Sequence, residues 1–170
     1  MKQDNVATDL IYEPVKEQLT RVEERLCKLA SKSDMVLTEL LLHAVTNPGK
    51  RLRPTITLLA SRFHPNDGEL PVVMAAAVEL LHVASLIHDD TVDNSSLRRG
   101  VATVSSLWGN NVAVMLGDYV FAASAVFVCD TKNVRVIRRF SETIMDLSTG
   151  ELMEAFGAFK WDHTYNQYKQ

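Results

Sequence analysis

Apolar residues recur at helical spacing through almost the whole chain, and no run between turn residues alternates apolar and polar positions as a half-buried strand would. That periodicity restricts the chain to an all-α fold. A first amphipathic helix is predicted from about Thr8 to Ala30, its apolar stripe running through Leu10, Val15, Leu19, Val22, Leu26 and Leu29. Ser33 or Asp34 caps a second, ending near Thr46, and Asn47-Pro48-Gly49 then breaks the chain. A third starts near Arg51 with Pro54 in its first turn and stops at His64-Pro65-Asn66-Asp67-Gly68. A fourth runs from Pro71 to about Asp93, followed by a polar, basic loop from Asn94 to Gly100 and a short helix from Val101 to Trp108. The stretch Asn110 to Cys129 is apolar nearly all round and reads as the central helix. Asn133 to Phe159 is amphipathic, with Ile137, Phe140, Ile144, Leu147 and Leu152 inward, and Asp162 to Gln170 begins another helix.

A chain of 170 residues buries about 70% of its unfolded surface and needs no staples. The two cysteines, Cys27 and Cys129, match no metal spacing and read as small core residues in a reducing compartment. The N-terminus carries Asp4 and lacks the apolar run of a signal peptide, so the expectation is a cytoplasmic protein. Val112 to Cys129 is barely long enough to span a bilayer and is interrupted by Gly117-Asp118, which favours a buried helix over a transmembrane segment. A net charge of -3 gives no overall attraction for nucleic acid.

The sharpest local feature is His88-Asp89-Asp90-Thr91-Val92-Asp93. On a helix Asp89 and Asp93 are about 40° apart, and Asp90 completes an arc of about 100°, so the three carboxylates share one face. They stand at the carboxyl end of the fourth helix, where the macrodipole disfavours each acid by about 0.3–1 kcal/mol. Helix stability does not explain them. Oxygen ligands without cysteine suit Mg²⁺, which bridges to phosphates. A solvated acidic turn is the alternative that spacing alone leaves open.

Arg98 and Arg99 follow the acids, and their side chains diverge toward two different anions. Lys50 and Arg53 sit at the Pro-Gly break and the first turn of the third helix, where free amides attract an anion. His82 lies two turns before Asp89 on the same face. Solvated basic turns and a hydrogen-bonded core histidine are the structural alternatives. Glu79-Leu80-Leu81-His82 is also the Glu-x-x-His of a di-iron bundle, but that fold needs the motif twice and the sequence holds one copy.

Taken in order, Gly49-Lys50-Arg51-Leu52-Arg53-Pro54, Glu79-Leu80-Leu81-His82, Asp89-Asp90-Thr91-Val92-Asp93 and Leu97-Arg98-Arg99-Gly100 resemble the signature of the trans-isoprenyl diphosphate synthases. The resemblance spans roughly Thr8 to the C-terminus. It implies an isoprenoid synthase helical bundle around a deep cavity, usually a homodimer, in which residues 1–170 form the N-terminal part of one domain. It further implies that Asp89 and Asp93 ligate Mg²⁺ with Asp90 in support, and that Arg98 holds the allylic diphosphate. Lys50, Arg53, His82 and Arg99 would hold isopentenyl diphosphate. The expected activity is prenyl transfer without a side-chain nucleophile. Ala84 and Ser85, one turn before Asp89, are small where an aromatic floor would stop growth, which implies a medium- or long-chain product like that of hexaprenyl, heptaprenyl or octaprenyl synthases.

The sequence departs from the family pattern at Pro48, where a glycine is common, and at Glu154, where glutamine is common. The family's second aspartate-rich motif does not occur within the 170 residues, so the expectation is a truncated form, inactive by itself, of an enzyme about twice as long. A non-catalytic subunit or fragment is the competing reading. A terpene cyclase is a third, disfavoured because Lys50, Arg53 and His82 supply a second diphosphate site.

Overall fold

The computed structural model describes residues 10–31, 34–46, 49–158 and 164–169. Thr8, Ser33, Asn47, Pro48, Phe159, Asp162 and Gln170 lie outside them. The chain divides into two compact units, Met1–Thr131 and Lys132–Gln170.

In the first unit a 3-10 turn, Glu13–Val15, leads into α1 (Lys16–Ser31), followed by α2 (Met35–Val45), α3 (Leu52–Ser61) and α4 (Glu69–Val92). Then come β1 (Leu97–Arg98), β2 (Val101–Ala102), α5 (Val104–Trp108) and α6 (Asn110–Asp130). Asp34 caps α2 by accepting from the Leu37 amide at 3.0 Å, the exchange that satisfies an otherwise orphaned donor. Thr103 does the same for α5 through the Ser106 amide at 3.2 Å. Its hydroxyl also donates to the Ser95 carbonyl at 2.7 Å, closing the base of the hairpin.

The fold is all-helical as expected except for two short strands, which replace part of the loop and short helix expected between Asn94 and Trp108. Leu97 pairs with Ala102 and Arg98 with Val101, leaving Arg99-Gly100 as a two-residue turn. Both turn residues have positive φ, 53° and 80°, the backbone that a primed hairpin turn requires. The helix expected from Val101 therefore begins at Val104. Two-residue strands are too short to show alternation, so hydropathy held no trace of them.

The central helix of this unit is α4, not the Asn110 to Cys129 stretch. Thirteen α4 residues are buried, among them Ala75, Ala76, Ala77, Leu80, Val83 and Ala84, and it packs against α6, α3 and α1. The three consecutive alanines let neighbouring backbones approach closely. By contrast α6 buries one stripe, Ala113, Leu116, Gly117, Val120, Ser124 and Val128, and exposes Met115, Phe121 and Val126. Leu26, Leu41, Leu58, Leu80, Val72 and Val120 fill the core. Both α4 and α6 are long and apolar enough to cross a membrane; 61% of the α4 window but 33% of the α6 window is buried inside the protein.

Cys27 and Cys129 are both exposed, against the core placement expected. Each falls off the buried stripe of its helix, which Val22, Leu26 and Ala30 define in α1 and Val120, Ser124 and Val128 in α6.

In the second unit α7 (Val134–Gly157) is capped by Asn133, whose side chain accepts from the amides of Arg135 and Val136. A short α8 (Tyr165–Lys169) follows. Of the residues expected inward, Phe140 is buried and Ile137 and Ile144 are half-buried, whereas Leu147 and Leu152 are exposed.

Candidate functional site

Lys50, Arg53, His82 and Arg99, which the sequence placed in three separate motifs, line one open cleft of about 500 Å³ together with Gly49, Arg51, Leu52 and Glu79. His82 reaches it from the middle of α4, Lys50 and Arg53 from the start of α3, and Arg99 from the hairpin turn. Burial pulls the His82 imidazole below its ordinary value of 6.5, with Arg53, Arg99 and Arg98 pushing the same way and Glu79 opposing them. A bound anion would reverse that bias, because it favours the protonated ring.

A second, narrower cavity of about 80 Å³ lies under the hairpin, lined by His82, Ile87, Asp90, Arg98, Arg99 and Thr103 among others. Here Arg98 Nε donates to both oxygens of Asp90 at 2.8 and 2.9 Å, and Nη2 approaches Oδ1 at 2.8 Å. Asp90 is 9% exposed in its side chain and Arg98 37%. His43 closes the far wall, with Nε2 2.9 Å from the Ala102 carbonyl and its ring edge-on to Trp108 at 5.2 Å.

This ion pair corrects the picture of three carboxylates opening together. Asp90 turns into the protein and anchors the hairpin, while Asp89 is half-buried and Asp93, the C-cap of α4, is exposed. Among the described residues no group of three His, Cys, Asp or Glu side chains stands close enough to hold a metal ion. Asp89 and Asp93 remain a pair one helical turn apart. Burial raises the Asp89 carboxyl above its ordinary 3.8, Asp93 and Asp90 raise it further, and Arg98 pulls it back. A carboxylate held in its less stable form by burial and a neighbouring acid fits a hard divalent cation, which needs one or two such ligands and keeps its waters.

Ala84 is 1% exposed within the core. Ser85 is half-buried on the helical row of Asp89 and Asp93, its hydroxyl donating to the His82 carbonyl at 2.9 Å.

Two contributors were not legible in the sequence. His88 lies across Gly117: a Cβ there would fall 2.2 Å from its Nε2. The same nitrogen is 3.4 Å from Asp118, so the residue preceding Asp89 is seated on α6. Arg51 is the other. It is 17% exposed and donates to Glu79 at 2.7 Å and to Glu23 at 2.5 Å. Those bonds hold its guanidinium charged and raise its pKa, although burial, the largest influence, works against them.

A sequence model of the family described as polyprenyl synthetase matches residues 34–170. A prenyl transferase of Synechocystis sp. is 36% identical over 96% of this chain and 51% of its own length. Heptaprenyl diphosphate synthase component 2 of Geobacillus stearothermophilus is 35% identical over 93% of the chain and 49% of its own. The crystal structure of a decaprenyl diphosphate synthase from Rhodobacter capsulatus superposes with a TM-score of 0.86 at 34% identity, covering 95% of this chain and 50% of that one. The chain spans about half the length of the curated relatives it matches.

Proposed function

The chain belongs to the polyprenyl synthetase family, and from that premise we propose that it serves the addition of isopentenyl diphosphate to an allylic diphosphate, yielding a medium- or long-chain all-trans polyprenyl diphosphate. The observation that carries this is the convergence of Lys50, Arg53, His82 and Arg99 on one cleft beside the helix end that bears Asp89 and Asp93. Two diphosphates need two distinct sites. A terpene cyclase, with one diphosphate to hold, has no use for the basic cleft.

In this reading Lys50, Arg53, His82 and Arg99 bind isopentenyl diphosphate, and Arg98, steadied by Asp90, faces the allylic diphosphate. Asp89 and Asp93 would hold Mg²⁺, which when bound supplies neutralisation of charge on the departing diphosphate. Arg98 would stabilise that leaving group through charge-assisted hydrogen bonds. The isopentenyl double bond attacks the allylic carbon, and loss of one proton completes a chain five carbons longer. Ser85 and Ala84 lie one turn along α4 from Asp89, and in this reading their small side chains set the product length, Ser85 from a half-buried position and Ala84 from behind it in the core. We take residues 1–170 as the N-terminal part of one isoprenoid synthase domain acting in the cytoplasm as a homodimer; the name "component 2" of the Geobacillus relative favours a second reading, a subunit that works with a different chain.

Calorimetric titration tests the assignment. Isopentenyl diphosphate should bind without metal and lose binding in Lys50→Ala/Arg53→Ala, whereas farnesyl diphosphate should need Mg²⁺ and lose binding in Asp89→Asn/Asp93→Asn. Equal binding of both compounds in EDTA would refute the division of labour.

A further inference from the structure

The most heavily engaged cation of the basic cleft, Arg51, has no part in that assignment. Its guanidinium ties three helices together. Nε and Nη2 donate to the two carboxylate oxygens of Glu23 on α1, at 2.5 and 3.1 Å. Nη1 donates to Oε1 of Glu79 on α4 at 2.7 Å, and Nη2 donates again to the Val45 carbonyl at the end of α2, at 2.8 Å. Four hydrogen bonds occupy most of the five donors a guanidinium has. Little is left for a ligand.

The backbone of Arg51 is as unusual as its side chain. At φ 47° and ψ 34° it is left-handed, a conformation that a residue with a Cβ holds when its surroundings over-determine it. This turn sits between Lys50 and α3, whose first residues include Arg53. The Arg51 carbonyl accepts from the amide and the hydroxyl of Thr55 at 3.1 and 2.7 Å, so α3 starts from it. The Tyr12 hydroxyl donates to the Lys50 carbonyl, and a Cβ at Gly49 would come within 3.2 Å of Arg99 Nη1. The loop is thus held from both sides while Arg51 pins its middle.

Glu79 sharpens the point. A buried acid lining a cleft for an anion opposes the ligand by charge, and it is 7% exposed with Arg51 against it. Its placement follows if it serves to hold Arg51.

We propose that Arg51 is a positioning residue of the cleft: clamped by Glu23, Glu79 and the end of α2, it locks the left-handed turn that brings Lys50 and Arg53 to bear on one diphosphate. This rests on reading the cleft as a diphosphate site. The test titrates the chain calorimetrically with inorganic diphosphate in EDTA and records the melting temperature of every variant. Arg51→Lys keeps the charge but loses the fork. Arg51→Met/Glu79→Met removes one charge of each sign, so the net attraction for the anion is unchanged, and buried ion pairs replaced by apolar groups of similar volume commonly keep their fold. Each should weaken binding about tenfold, the effect of a loop that holds its ligating geometry one tenth of the time. Wild-type affinity in Arg51→Lys, or in a folded Arg51→Met/Glu79→Met, overturns the positioning role; if the double variant does not fold, Arg51→Lys decides alone. Undiminished binding in Lys50→Ala/Arg53→Ala, or no binding by the wild-type chain, overturns instead the diphosphate reading and the positioning role with it.

Discussion

Cutting the Asp90–Arg98 pair should detach the hairpin from α4 and lower stability by an amount the geometry bounds. Breaking a fully buried ion pair from one side costs about 3–5 kcal/mol, mostly through the charge left behind. Arg98 keeps 37% of its side chain in water, so for Arg98→Ala, which strands the buried Asp90, we expect about 2–3 kcal/mol. Asp90→Asn retains one acceptor for the fork and should cost about 1–2 kcal/mol. Because both substitutions act on the same pair, the double variant should fall short of additivity by about 1.5 kcal/mol. Urea unfolding followed by far-ultraviolet circular dichroism reads this directly, since 2 kcal/mol moves the midpoint by about 1 M at an m-value of about 2 kcal/mol/M. Amide exchange at Leu97 to Ala102 should quicken in parallel. If the two effects add within about 0.3 kcal/mol, Asp90 does not anchor Arg98, and its turn away from Asp89 and Asp93 needs another explanation.

Gly117→Ala should destabilise the chain by about 1–3 kcal/mol, because the new Cβ falls 2.2 Å from the His88 ring; adding His88→Ala should restore most of the loss in thermal melts. Burial holds the His82 pKa below 6.5, so the unfolded chain binds its proton first and the residue's contribution is present above pH 6.5 and lost as pH falls through the window beneath it. His82→Gln should therefore flatten the stability profile below pH 6.5, and parallel wild-type and variant curves there would refute this. For Asp89 the sign is opposite. Its pKa is raised above 3.8, so its contribution is present below that value and lost as pH rises through the higher folded value. Asp89→Asn should raise the melting temperature at neutral pH in EDTA and abolish the rise that Mg²⁺ should produce in wild type, as differential scanning calorimetry can show.

Much of the helical plan was legible because its signals are local. Asp34 caps α2, Pro54 sits in the first turn of α3, and Val15, Val22 and Leu26 of the predicted apolar stripe are buried, although Leu10 is exposed. The candidate site was legible as residue types in order, not as a geometry. Spacing along an ideal helix put Asp90 with Asp89 and Asp93, but it could not show that Arg98, in the hairpin that follows the helix, would claim that carboxylate. Arg99-Gly100 lacks the asparagine or aspartate that ordinarily announces such a turn. Arg51 reads in the sequence as one more cation of a basic motif, since its partners Glu23 and Glu79 are each 28 positions away.

The sequence by itself determined the all-helical class, most of the breaks between helices, and which acids and bases the chain carries into one region, because periodicity, capping and proline act within a few residues. Only the tertiary structure decided which helix lies at the centre, which carboxylate faces inward and which cation of the cleft is committed to its own protein. Those outcomes depend on what each side chain meets across space. A buried charge takes the partner that packing delivers to it, and α4, with its three alanines against its neighbours, determines which partners come within reach of Asp90, His82 and Arg51.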